Sequence, residues 1–190
     1  MRAAWIVPLA AALLLLGAPS LASSQPIPFV RARAYRPGRQ KAVRLVVLHS
    51  TEGGTPQTVG AMFAAPEART SAHYVVSASS TIQCVDESDA AFAAPGANED
   101  GVHVEICGWA QWSAAQWRDS GVLGPLARLL RDVCRRHGLP LVHVDVTGLR
   151  GAARGITTHA EVTEAFGAST HTDPGAGFPF SDLLSLARAS

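Results

Sequence analysis

Ala42-Val43-Arg44-Leu45-Val46-Val47-Leu48 is a nearly continuous apolar run rich in valine. A strand with one face in water alternates polar and apolar residues, whereas a run without alternation suits a central strand buried on both faces. The run stops abruptly at His49-Ser50-Thr51-Glu52-Gly53-Gly54, and Thr55-Pro56 then offers an N-cap and a first-turn proline for a helix reaching about Ala65. Ala72–Ser77 and Thr81–Val85 read as two strands joined by the Ala78-Ser79-Ser80 turn, and Val102–Cys107 alternates with period two as another strand. From Ser113 to His137 the pattern is helical, with a break near Gly121, a core stripe of Leu126, Leu129, Leu130 and Val133, and a stop at Gly138. A short strand near Leu141–Val144, a helix over Ala160–Phe166 and a terminal helix over Phe180–Ala187 complete the reading. Strands interleaved with helices give an α/β class.

The N-terminus is organised differently. Arg2, an apolar run over Ala3–Leu16, then Gly17, Pro19 and Ser20-Leu21-Ala22 form the basic start, apolar core and small-residue exit of a secretory signal peptide. The run is shorter than the ~20 apolar residues that span a bilayer, which favours a cleaved segment at 1–22 over a retained anchor. The product is expected in a secreted, periplasmic or cell-wall space, as a monomer with no membrane attachment after cleavage. Cleavage leaves 168 residues, enough for one domain: an extended lead-in over 23–40, rich in proline, and a folded unit over 41–190. Without Arg2 the basic and acidic residues balance at 15 each. Neutrality provides no electrostatic footprint for nucleic acid or an anionic membrane. Export permits one disulfide among Cys84, Cys107 and Cys134, but the sequence does not choose the pair.

Three segments concentrate chemistry. His49 stands where the buried strand runs out into a glycine-rich loop, a position at which α/β proteins place ligand-binding groups. His159 stands just before a helix, in Gly155-Ile156-Thr157-Thr158-His159. In His171-Thr172-Asp173-Pro174-Gly175 the proline favours an extended Asp173, so that His171 and Asp173 project to one side if Thr172 is extended too. Two histidines and a carboxylate suit zinc, leaving a fourth position for water, although ligands so far apart in sequence do not by themselves single out a zinc enzyme. Glu105 shares a strand face with His103 and Cys107; it is either an acid/base beside such a site or part of a solvated polar face. His73 reads as structural or groove-lining, His137 as a helix-end residue, and Glu161 as favourable charge at a helix N-terminus. His143 and Asp145 form a His-x-Asp pair for which surface solvation outweighs metal binding.

Taken as a set, Val47-Leu48-His49-Ser50-Thr51-Glu52-Gly53, Ser71-Ala72-His73-Tyr74-Val75-Val76, Gly101-Val102-His103-Val104-Glu105, Gly155–His159 and His171-Thr172-Asp173-Pro174-Gly175 resemble the type 2 N-acetylmuramoyl-L-alanine amidases. That family includes phage lysozyme-amidases and is related to the peptidoglycan recognition proteins. The resemblance implies a central mixed sheet flanked by helices in one domain. It implies Zn2+ held by His49, His159 and Asp173, Glu105 as acid/base, and peptidoglycan or a muropeptide as substrate. The bond implied is the amide between the lactyl group of N-acetylmuramic acid and L-alanine. Two departures stand out. Many relatives have lysine where this chain has His171, which leaves open the charge of the group that meets the oxyanion. Many also have a tryptophan-histidine pair where this chain has Ala91-Phe92-Ala93-Ala94-Pro95, which changes one groove wall. A peptidoglycan-binding module without catalysis is the alternative reading; retention of all three ligand types and Glu105 argues against it.

Overall fold

The computed structural model describes Met1 and residues 26–189; the remainder of the expected signal peptide lies outside the described residues. Along the chain the elements are β1 (Tyr35–Arg36), β2 (Leu45–Ser50), α1 (Pro56–Ala64), β3 (Tyr74–Val76), β4 (Thr81–Gln83), β5 (Ala90–Ala91) and β6 (Gly101–Ile106). They continue with α2 (Ala114–Asp119), α3 (Leu123–His137), α4 (Val146–Arg150), β7 (Gly155–Thr158), α5 (His159–Phe166) and α6 (Phe180–Ala189). Five strands form one mixed sheet in the order β4-β3-β6-β2-β7, and β1 pairs with β5 in a separate two-stranded ribbon. Only β3 and β4 run antiparallel within the large sheet. This is the expected mixed sheet flanked by helices, in a single domain.

The apolar run becomes β2, second from one edge and buried at every residue, with parallel neighbours on both sides. The strand begins and ends later than the run suggests, so His49 lies within its last turn of pairing rather than beyond it. Period-two geometry divides the sheet into two faces. Val46, Leu48, Tyr74, Val76, Val102, Val104 and Ile106 form the main core with α3 and α6, through Leu126, Leu130, Val133, Leu183 and Leu184. The other face carries Val75 beneath Val59 and Phe63 of α1, and Leu45 and Val47 beneath Val162 of α5. Between α1 and α5 this face has no helix over the C-terminal ends of β2 and β6, and a groove opens there.

Capping signals act as expected. Thr55 and Thr58 form a capping box before Pro56, and Gly138 ends α3 in the left-handed region. The helical stretch from Ser113 is two helices, broken at Ser120–Val122 around Gly121, whose φ is +74°. Leu141–Val144 is not a strand: Val142 and Val144 exchange backbone hydrogen bonds with Ile156 as an isolated bridge, and Asp145 immediately caps α4. The described lead-in is docked, with Val30 and Ala32 donating to the carbonyls of Gln83 and Cys84. The three cysteines are free, two of them buried. Among the described residues no helix is long and apolar enough to cross a membrane.

Candidate metal centre and its groove

His49 reaches the groove because residues 45, 47 and 49 of β2 share the face opposite α3. In the parallel pairing of β2 with β6, His49 is in register with Glu105, so the two side chains rise from neighbouring strands on the same face. His159 is the first residue of α5, delivered by β7 and the Thr158–Glu161 capping box. Asp173 comes from the loop before α6; its carbonyl accepts the Ala160 N–H, tying the loop to α5. Gly175 secures the other side of that loop. A Cβ at this position would lie 1.8 Å from the Ala110 carbonyl oxygen, so only glycine permits the close approach.

One ligand atom each from His49, His159 and Asp173 lies within 4.8 Å of the other two, and all three residues are buried. The Nδ1 atoms of His49 and His159 approach to 3.1 Å. Asp173 Oδ2 is 3.3 Å from His49 Nδ1, and Oδ1 is 3.2 Å from His159 Nδ1. A tetrahedron with arms of ~2.0–2.1 Å has edges of about 3.3 Å. The donor spacing and the donor chemistry both fit zinc. Ser50 N–H donates to Asp173 Oδ2 at 3.4 Å. Burial alone would raise the Asp173 carboxyl, but the hydrogen bonds from His159 and His49 outweigh it and hold it well below the usual carboxylate range. Burial likewise lowers His49 despite its contact with Asp173, which favours the neutral ring.

Glu105 lies on the groove wall, and its Oε2 is shielded from solvent without a hydrogen-bond partner. Burial first, then the charges of Asp173 and Glu52, push its carboxyl up to about 8. Glu52 is itself fixed, accepting from Ser50 Oγ at 2.6 Å and from the Ala110 N–H at 2.9 Å. His171 faces the same groove with a largely exposed ring, stacked on His159 at 4.5 Å between centroids, its Nδ1 3.4 Å from Asp173 Oδ1. His171 and Asp173 thus share a side, as the Pro174 argument anticipates. Across the groove, Thr58, Met62 and Phe63 of α1 oppose them, with Ser71 and Ala93 as small wall residues.

The other histidines sort differently. His73 is wholly buried and absent from the groove lining, so it is structural. His137 pairs with Glu87 at 2.8 Å at the end of α3. His143 pairs with Glu161 at 2.6 Å, and Asp145 caps α4, so His143 and Asp145 do not make a second metal site. His103 belongs near the centre and sequence reasoning missed it. Its ring is fully buried, with Nδ1 3.1 Å from His49 Nε2. The available signal was its place two residues before Glu105 on the same strand face.

A sequence profile of the N-acetylmuramoyl-L-alanine amidases matches residues 39–176. No curated protein matches the chain at a significant level. Among solved structures, the hydrolase AmiA of Staphylococcus aureus, in complex with its ligand, is similar at 15% identity and a TM-score of 0.70, over 86% of this chain and 82% of that one. A selenomethionine derivative of AmpD is similar at 20% identity and a TM-score of 0.59, over 84% of this chain and 93% of that one. The N-acetylmuramoyl-L-alanine amidase LysC of Clostridium intestinale URNW follows at 14% identity and a TM-score of 0.55, over 85% of this chain and 97% of that one. At these identities the likenesses establish the fold.

Proposed function

This chain belongs to the type 2 N-acetylmuramoyl-L-alanine amidase family, and from that membership we propose that it is a zinc-dependent enzyme cleaving the amide between N-acetylmuramic acid and L-alanine of peptidoglycan. The observation carrying the zinc reading is the convergence of His49, His159 and Asp173 within 4.8 Å on a groove wall that also holds Glu105. A recognition module without catalysis needs neither three matched donors nor a shielded carboxyl beside them.

Zinc, when bound, acts as a Lewis acid that lowers the pKa of water toward ~7 and polarises a carbonyl. His49 and His159 would offer Nδ1 and Asp173 one carboxylate oxygen. Glu105 takes a proton from the attacking water as the water oxygen bonds to the scissile carbonyl carbon. It then passes that proton to the amide nitrogen as the carbon–nitrogen bond breaks, releasing the L-alanine amine and the muramoyl carboxylate. A ring N–H of His171 donates to the oxyanion in between, in the role that lysine has in many relatives. The signal-peptide reading of residues 1–22 completes the proposal, because an exported enzyme meets a wall substrate outside the membrane.

Digestion of purified peptidoglycan, with mass analysis of the products, tests this reading. The expected products are stem peptides with a free L-alanine amine, lost on chelation and restored by zinc. Glycan cleavage, cuts within the stem peptide, or undiminished release after exhaustive chelation would overturn it.

A further inference from the structure

Two buried imidazoles behind a metal centre are expensive unless each nitrogen has a use. His103 and His73 are both fully buried beneath the groove and outside the catalytic set. A neutral imidazole carries one N–H and one lone pair. If His49 gives its Nδ1 lone pair to a metal, its hydrogen is on Nε2 and requires an acceptor. That nitrogen lies 3.1 Å from His103 Nδ1.

We infer that His103 is a positioning residue for the metal centre: its Nδ1 accepts the His49 Nε2–H and so keeps His49 Nδ1 free of hydrogen and aimed at the ion. The inference rests on the zinc reading above. Metal-bound histidines commonly donate their second N–H to a carboxylate, a carbonyl or water. The second ligand follows a related pattern, with His159 Nε2 3.3 Å from Ser169 Oγ, which in turn contacts Thr163 Oγ1.

The surroundings of His103 explain how an imidazole can replace a carboxylate in this role. In this role it is neutral, with Nδ1 unprotonated and its ring fully buried. With Nδ1 accepting, the hydrogen sits on Nε2, which is buried without a hydrogen-bond partner among the described residues. Gly101 leaves room for this placement, since a Cβ there would lie 2.6 Å from the Ala97 oxygen and 3.0 Å from His103 Nε2. His73 steadies the residue from the next strand. Its Nδ1 accepts the His103 backbone N–H at 2.9 Å, and the two rings stack at 5.8 Å with an 18° tilt. With Nδ1 accepting, the His73 Nε2–H donates to the Asp89 carbonyl oxygen at 3.2 Å, and Arg39 of the lead-in packs at that end, donating from Nη2 to the Gly101 carbonyl oxygen at 2.9 Å.

Zinc affinity, measured by competition with a chromophoric chelator at fixed pH, tests the inference on the mature chain and on His103→Ala and His103→Asn. Asparagine places an acceptor oxygen where the histidine has Nδ1. His103→Ala should bind zinc about 10–100-fold more weakly, and His103→Asn should recover most of the loss. Nitrogen-15 spectra of the zinc-loaded wild-type protein should show His103 unprotonated at Nδ1 and a through-hydrogen-bond coupling between that nitrogen and His49 Nε2, which decides the matter even if His103→Ala does not fold. Unchanged affinity in a folded His103→Ala, an asparagine variant as weak as the alanine, or a hydrogen on His103 Nδ1 would overturn it. A wild-type chain that binds no zinc would instead refute the zinc reading itself.

Discussion

In the proposed reaction Glu105 carries a proton, and its burial comes at the expense of the metal-free fold. Burial, then the charges of Asp173 and Glu52, raise its carboxyl from the ordinary 4.5 to about 8. Between those values the folded chain holds a proton that the unfolded chain has released. Its contribution to stability is therefore present below about pH 4.5 and is lost as pH rises toward 8. Glu105→Gln removes this liability along with the proton acceptor. The metal-free variant should melt above wild type at about pH 8, with the gap closing near pH 4.5, while turnover of the zinc-loaded variant falls ~10²–10⁴-fold. Near-normal turnover would return Glu105 to a structural role. His171 and Asp173 separate in the same manner. His171 is largely exposed and Asp173 buried between two ring nitrogens, so His171→Ala should keep zinc and lose ~10²–10³ in turnover, whereas Asp173→Ala should lose zinc. A metal count showing the reverse would make the centre a three-histidine site.

At the scale of elements, α5 has the most delicate task, because its first residue is His159. Glu161 secures that end, accepting the Thr158 N–H at 3.0 Å and the Thr157 and Thr158 hydroxyls, while its other oxygen meets His143 at 2.6 Å. The hydrogen bond to Glu161 raises His143 despite partial burial. Burial would raise Glu161, but its bonds to His143 and the threonines lower it. The histidine contribution is complete below its unfolded value of about 6.5 and disappears as pH climbs through the raised folded value; the glutamate contribution is complete above about 4.5 and disappears below it. His143→Gln should therefore lower the melting temperature most between about pH 4.5 and 6.5, with the deficit shrinking above about pH 7. A deficit that does not vary across this range would mean the pair carries no charge-linked stability. Sequence reasoning saw α5 and its acidic first turn but missed β7 and α4. In Gly155–Thr158 only Ile156 is a large apolar residue, so no period is legible, and α4 is a single turn announced by Asp145 alone. The Leu141–Val144 run failed as a strand because pairing with Ile156 ends where Asp145 begins a helix.

For the whole molecule, the same contrast separates what the sequence discloses from what it withholds. Buried runs and caps are local signals, so the α/β class was readable before any coordinates, whereas the set of residues that meet in the groove came from the family resemblance of the motifs. His103 depends on the register between strands far apart in sequence, and a polar residue on an alternating strand looks solvated until His49 and His73 are seen against it. This long-range assembly also determines how the metal affects stability. His49 and His159 are 110 residues apart in the chain, so the unfolded state has no preformed site, and zinc held as proposed would bind the native state selectively. Selective binding stabilises by about 2.7 kcal/mol when free zinc is 100 times its dissociation constant. For a domain of this size each kcal/mol moves the melting temperature by roughly 2–4 °C. Scanning calorimetry should therefore show the zinc-loaded protein melting roughly 5–11 °C above the chelated one, the gap growing with free zinc. Asp173→Ala should abolish the gap and Glu105→Gln should preserve it, because only the first removes a donor from the centre. Equal melting of the loaded and chelated wild-type chain would mean that the three converging side chains hold no metal.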